Sequence, residues 1–440
     1  MRFIADLQIH SKYSRATSKD MVPEELDRWA DDKGILVMGT GDFTHPGWIK
    51  ELKEKLEPAE PGLFKLKEKY KEKTLKGTFA QTRFMLTAEI SNIYRRGGKT
   101  RRVHNLIFAP NFETVEAINA KLGWIGNLAS DGRPILGLDS EEALKIVLGS
   151  NENCLFIPAH IWTPWFSVFG SMSGFDSLEE CFGEHTKYIY AVETGLSSDP
   201  QMNWRLSKLD AVSIVSNSDS HSLRRIGREA NVFDTELSYA GIVDAIKSGI
   251  PRESLPASQA GVSSPRTSAF LMTLEFFPEE GKYHFDGHRT CGIVYAPQES
   301  KQRKNTCPAC GKPLTIGVMN RVEQLADRPQ AYRNSRRIPF KNLVPLDEIV
   351  AESLGLGTSS KAVKLEYESL VKTFNSELSV LLDVPIPDLL SSARPKIAEA
   401  IGRVREGRLR IMPGYDGEYG KVKIFDEDEK ESAAGQHTLF

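Results

Sequence analysis

Short apolar runs alternate, over the first 255 residues, with stretches whose apolar positions recur every three or four residues. The runs at 3–7, 35–40, 84–90, 103–109, 154–157, 188–192 and 212–215 predict strands. Helical patterns lie between several of them, among them 24–32, opened by Pro23 at a first-turn position, and 239–247. Alternation on this scale predicts an α/β fold built on a parallel sheet, open or closed into a barrel. A stretch rich in Pro, Ser and Gly at 251–265 predicts a linker. The chain therefore divides into an α/β unit at 1–255, a cysteine-bearing module at 266–345 and a lobe at 346–425 that is helical and then short and basic. The segment 426–440 opens on a run of acidic residues and predicts a disordered tail.

Composition narrows the class. Of 440 residues, 40% are apolar and 26% charged, the balance of a folded globular chain and not of a fibrous or disordered one. No apolar run approaches the roughly 18 residues of a membrane span, and the first residues are charged too early for a signal peptide. Three of five cysteines crowd between Cys291 and Cys310, which is metal-site usage in a reducing compartment and predicts a cytoplasmic protein. A net charge of −2 excludes a broadly basic nucleic-acid coat but allows local basic patches.

Side chains able to bind metal recur where the predicted strands end. Gln8 and His10 follow the first, Asp42 and His45 the second, and Glu89 and His104 lie in the third and fourth. His160 follows the fifth, Glu193 the sixth, and Asp219 and His221 the seventh. A lone histidine is most simply structural, but unlinked histidines have no reason to fall beside carboxylates at successive strand ends. Imidazole with carboxylate suits Zn, Mn or Fe, and this many ligands suits two or three ions. Clustered metals suit phosphoester hydrolysis, because they acidify water and clamp charge on the attacking and leaving oxygens. Glu89 is the candidate bridge between ions, and Asp219, Glu89 and His160 are expected to carry the catalysis.

These positions resemble the motifs of the PHP superfamily, which implies a distorted seven-stranded β/α barrel binding up to three metals. Gln8-Ile9-His10 matches its first motif, Asp42 with His45 its second, His160 its third and Asp219-Ser220-His221 its fourth. Glu89 and His104 match its intermediate ligands. Gln8 stands where the motif has a histidine, and Asp42 and His45 are three positions apart instead of adjacent.

His288-x2-Cys291 and Cys307-x2-Cys310, fifteen residues apart, have the spacing of a structural zinc site, with His284 as an alternative ligand. Cys154 and Cys181 read as core residues. Basic clusters at Arg95, Arg96, Lys99, Arg101 and Arg102, at Arg224 and Arg225, and from Arg403 to Arg410 suit phosphate contacts. Gly98-Lys99-Thr100 imitates a phosphate-binding loop but lacks its first glycine, Ile93 standing there, so no ATPase is predicted. The barrel motifs, the His/Cys module and the basic lobe together resemble the endonuclease Q family of DNA repair nucleases. That resemblance implies cleavage 5′ of uracil, hypoxanthine, xanthine or abasic sites, on damaged DNA. The ligand types predict zinc in both sites, with Mn or Mg as alternatives in the barrel. The last residues, with Gln436, Leu439 and Phe440, resemble a bacterial sliding-clamp peptide. Two other readings fit the same residues: a phosphatase acting on a small phosphomonoester, and a non-catalytic DNA-binding protein whose barrel has lapsed at Gln8.

Overall fold

A computed structural model describes residues 1–249, 269–334 and 337–426. The expected linker at 251–265 and the tail with its clamp-like peptide lie outside the described residues. Each of the seven apolar runs forms a strand: Arg2–Asp6, Val37–Gly39, Arg83–Arg96, Lys99–Ala109, Leu155–Pro158, Ala191–Glu193 and Ser213–Val215. Both expected helices form as well. Pro23–Lys33 opens on its proline, and Tyr239–Ser248 is capped by the Ser238 side chain, which accepts from the amide of Gly241.

The sheet is mixed, not parallel throughout. Arg2–Asp6, Val37–Gly39 and Arg83–Arg96 pair in parallel, but Lys99–Ala109 returns antiparallel to Arg83–Arg96, and Leu155–Pro158 is antiparallel to Lys99–Ala109. On the far side, Ala230–Asp234 pairs antiparallel with Arg2–Asp6. The reversal comes from Gly97 and Gly98, whose φ values of 61° and 76° form a two-residue hairpin turn that only glycine takes readily at both positions. The would-be phosphate loop is thus a hairpin tip. Ala191–Glu193 and Ser213–Val215 pair with each other. Side chains replace ladder bonds beside them: Leu7 N donates to Asn217 Oδ1 (2.9 Å), Ser218 N to Asp6 Oδ1 (3.1 Å) and Ser216 N to Asn231 Oδ1 (3.0 Å).

Strand periodicity separates two cores. Phe3, Ala5, Val37, Met85, Leu106, Phe108, Leu155, Ile157, Ala191, Val215 and Phe233 pack into one. The alternate residues Val103, Ile107, Ala109, Phe156 and Val192 face the other, with the surrounding helices. By the same parity Glu89 shares the face of Met85, and His104 that of Leu106, so both project onto the rim of the inner core.

The C-terminal lobe comprises the helices Leu346–Leu354, Lys361–Phe374, Glu377–Leu382, Ile386–Ser392 and Pro395–Arg405. It docks on Pro23–Lys33 through a buried ion pair, Lys33 Nζ to Glu377 Oε2 at 2.6 Å. The short strands Arg410–Met412 and Lys421–Lys423 fold back onto the cysteine module, where Phe285 N donates to Gly414 O (3.0 Å). Among the described residues no helix is long and apolar enough to cross a membrane.

Candidate active site

Glu89 is the centre of the site. It pairs with Leu106 in the hairpin register and His104 pairs with Ser91, so Glu89 and His104 are diagonal neighbours on one face. Glu89 Oε1 lies 2.6 Å from His104 Nδ1 and 3.3 Å from His160 Nε2. Its other oxygen lies 2.9 Å from His10 Nε2 and accepts from Gln8 Nε2 (3.1 Å) and Arg133 Nη1 (3.2 Å). His10 Nε2 is also 3.1 Å from Asp219 Oδ1, with His221 Nδ1 3.9 Å beyond. Two triads result, Glu89/His104/His160 and His10/Asp219/His221, each with its ligand atoms within 4.8 Å of one another. Glu89 touches both. Buried nitrogens and oxygens converging this closely, with Gln8 Oε1 left without a hydrogen-bond partner, would suit bound cations.

The buried groups of the centre are tuned unequally. Burial disfavours the charged form of His10, but Asp42, Asp219 and Glu89 outweigh it and raise its pKa well above the ordinary value. Burial likewise opposes ionisation of Glu89, yet Arg133 and His104 hold its carboxyl well below the usual range. Burial lowers His104 to about 4, leaving a neutral imidazole with a free lone pair. Asp219 (φ 46°) and His160 (φ 31°) sit in the left-handed region, a strain that non-glycine residues accept where a site demands it.

Two expected ligands are placed elsewhere. Asp42 Oδ2 accepts from Ser11 N (2.6 Å), Ser11 Oγ (2.7 Å) and Ser14 Oγ (2.8 Å), while Oδ1 lies 2.9 Å from His10 Nδ1. Asp42 thus holds His10 through its Nδ1 and lies outside both triads. His45 caps the helix Pro46–Lys55, accepting from Gly47 N at 3.2 Å, and stacks on Tyr13. Three positions beyond Asp42, the imidazole is engaged in that cap. Gln8 is at the centre, as a donor that steadies Glu89.

Arg133 was not anticipated from the sequence, because it lies in an irregular segment with no periodicity. Gly132 makes its approach possible: a Cβ there would meet Asp42 Oδ2 and Ser14 Oγ at 2.3 Å. Glu193 is also buried at the rim, accepting from His160 N (2.9 Å) and Asn217 Nδ2 (2.7 Å), and burial pushes its carboxyl up to about 8.

The second constellation is as expected: His288, Cys291, Cys307 and Cys310 come together, with Cys310 Sγ 3.5 Å from His288 Nδ1. Gly311 N donates to Cys307 O (2.9 Å), closing a tight knuckle. Burial opposes ionisation of Cys307, but the amides of Cys310 and Ala309 bring its thiol down to about 7, which favours the thiolate a metal needs. His284 is buried away from this cluster. Cys154 and Cys181 are buried core residues.

The basic residues divide by partner. Arg95 and Lys99 are exposed at the hairpin tip. Arg96 bonds Glu141 and the carbonyl of Cys181, and Arg101 covers the Phe175 ring. The Arg102 guanidinium lies over Phe166. Arg224 and Arg225 bond Asp347 and Glu348 and thereby tie the C-terminal lobe to the sheet unit. In the third cluster Arg403 pairs with Glu399, and Arg405 donates to the carbonyls of Leu381 and Val380.

Fold and site together define a metal-dependent hydrolase of mixed α/β architecture. The chain matches the crystal structure of the lesion-specific endonuclease PfuEndoQ from Pyrococcus furiosus with 31% identity and a TM-score of 0.82, covering 100% of both chains. A second structure, endonuclease Q in complex with a 27-mer duplex carrying an abasic lesion at the active site, matches at 32% identity and TM-score 0.80, over 97% of this chain and 98% of that one. The chain belongs to the endonuclease Q family. Among curated relatives, YqxK of Bacillus subtilis is 28% identical over 404 residues, 90% of each chain. MJ0043 of Methanocaldococcus jannaschii is 32% identical over 295 residues, 66% of this chain, which spans 34% of that relative's length. The family model described as the MJ0043 C-terminal domain matches residues 345–408, the helical lobe.

Proposed function

We propose that this chain is a DNA repair endonuclease that hydrolyses the phosphodiester 5′ of a deaminated base (uracil, hypoxanthine or xanthine) or an abasic site. The observation that carries the reading is Glu89, a member of one ligand triad and in contact with His10 of the other, in a chain that aligns end to end with a lesion-specific endonuclease. His104 and His160 would hold one cation, His10, Asp219 and His221 the other, and Glu89 both. Zinc suits this ligand set, with Mn or Mg as alternatives. Bound cations supply an acidified water and neutralise charge on the phosphate oxygens. The protein's own part is orientation: Gln8 and Arg133 fix the bridging carboxylate, Asp42 fixes His10, and the Glu193 carboxyl fixes the backbone of His160. Arg95 and Lys99 at the hairpin tip are suited to phosphate contact. A damaged base is the cheapest to draw out of the stack, which favours lesions over intact sites. His288, Cys291, Cys307 and Cys310 together offer four protein ligands, so a zinc ion held there would be structural.

The test uses metal-replete protein and end-labelled duplexes carrying a single deoxyuridine, a single hypoxanthine or no lesion. A nick immediately 5′ of each lesion and none on the control is expected. Hydrolysis of small phosphomonoesters without any nick would replace this reading with a phosphatase. No hydrolysis, with metal analysis finding only the structural zinc, would replace it with a non-catalytic binder. The terminal peptide with Gln436, Leu439 and Phe440 is proposed to bind a bacterial sliding clamp. Its deletion should leave nicking unchanged and abolish clamp capture, and retained capture would discard the motif.

A further inference from the structure

The loop from His160 to Phe175 leaves the strand Leu155–Pro158 and carries the metal-ligand candidate His160 at its start. It is rigid for its length. Ile161 N donates to Glu193 O (3.1 Å), Phe169 N to Ile161 O (2.8 Å), His104 N to Phe166 O (3.1 Å) and Arg102 N to Ser173 O (3.3 Å). Arg321 Nε donates to Phe169 O at 3.0 Å. Trp162 and Phe169 are both buried, with ring centroids 5.0 Å apart. Phe166 takes a φ of 62°, costly for a bulky residue, and its ring lies 4.6 Å from that of His104.

Against this background two large apolar side chains point outward. Trp165 is 43% exposed and Met172 is 61% exposed. Their backbones are tied close together, because Met172 N donates to the carbonyl of Pro164, the residue before Trp165, at 3.0 Å. A single exposed apolar residue needs no explanation, but an adjacent pair on a loop that otherwise buries its aromatics does. The pair stands next to Phe166, which touches a metal-ligand candidate, and beside the strand that carries Arg102 and ends in the exposed Lys99. An apolar projection flanked by cations is complementary to duplex DNA, whose phosphates take the charges while an opened base step takes the apolar tip.

We propose that Trp165, supported by Met172, inserts into the base stack of a lesion-bearing duplex and fills the space vacated when the damaged nucleotide is drawn to the metal centre. The proposal rests on the endonuclease reading above. Trp165 does not touch the reacting atoms; it is a positioning residue. An indole supplies a broad stacking face with few rotatable bonds, so it replaces the lost base at little ordering cost. Single-stranded DNA has no vacated position in a stack, and there Trp165 has nothing to fill.

The experiment compares wild type, Trp165→Ala, Trp165→Ala/Met172→Ala and Trp165→Phe in single-turnover nicking of one deoxyuridine oligonucleotide, as duplex and as single strand. Trp165→Ala should slow duplex nicking about tenfold or more, within the range that loss of one stacking contact produces, while leaving the single-strand rate unchanged. The double variant should be slower still on duplex, and Trp165→Phe should recover most of the loss. A second readout dispenses with cutting: in an Asp219→Asn background, Trp165→Ala should reduce the preference for an abasic over an undamaged duplex without weakening the undamaged one. Equal slowing on both strand forms, or unchanged duplex nicking with unchanged lesion preference, overturns the wedge. Wild type that nicks neither form overturns the endonuclease reading itself, and the wedge with it.

Discussion

At the scale of single residues the proposed metal centre distinguishes groups that would face a cation from groups that would aim them. Asp219 has an oxygen at the centre, whereas Asp42 spends both of its oxygens on His10, Ser11 and Ser14. Asp219→Asn should therefore abolish nicking and lower the metal count by about one ion, with DNA binding retained. Asp42→Ala should keep the full metal count at saturation but weaken affinity by about 10- to 100-fold, as loss of a ligand-orienting carboxylate does. Metal titration followed by elemental analysis separates the two, and identical behaviour would reverse the assignment. Asp27 carries a different prediction. Burial raises its carboxyl to about 7, against the opposing pull of Lys71 and Thr82. Because the folded state prefers the protonated acid, this group favours folding below the unfolded carboxylate range near pH 4 and loses that contribution as pH rises through about 7. Asp27→Asn should thus raise the melting temperature at pH 8 by more than at pH 5, with a gain on the order of 2 kcal/mol. A pH-independent difference would count against the burial argument.

At the scale of elements, local sequence signals did much of the specification. Seven apolar runs became seven strands, Pro23 opened its helix and Ser238 capped another. Strand direction was not legible from the runs, since a long apolar strand looks the same in either orientation. It was set by the two-residue Gly97-Gly98 turn, a hairpin signal present in the sequence but masked by the basic residues around it. The cysteine knuckle was legible because its ligands lie close together in pairs. Cys307→Ser should remove the structural zinc and lower the melting temperature while leaving the two-triad metal content intact. An unchanged zinc count and melting temperature would discard the structural site.

At the scale of the whole molecule, buried charge links the lobe at 345–408 to the rest. Lys33 and Glu377 are almost fully buried, and Glu377 also accepts from Tyr367 Oη (2.8 Å) and Leu346 N (3.2 Å). Removing one partner strands the other in a medium that cannot solvate it. Lys33→Met should cost about 3 to 5 kcal/mol in urea denaturation, and Lys33→Met/Glu377→Leu should recover part of it. A loss below about 1 kcal/mol would mean that the pair behaves as an exposed one. The Arg224–Asp347 and Arg225–Glu348 pairs cross the same junction, so two arginines that read as phosphate contacts in the sequence serve at least as docking groups.

Periodicity, caps and short-range spacing were enough to announce an α/β chain with histidines and carboxylates at its strand ends, and a module that gathers one histidine and three cysteines. These properties are local: they depend on residues within a few positions of one another, and the chain cannot hide them. The folded molecule was needed to decide which strand-end groups converge on Glu89, which, like Asp42 and His45, are turned to other work, and that Arg133 reaches the centre from a loop without periodicity. Those outcomes depend on sheet order, hairpin register and the close approach of Gly132 to Asp42. All are contacts between residues tens of positions apart, set by packing into a common core, and no short window of sequence encodes them.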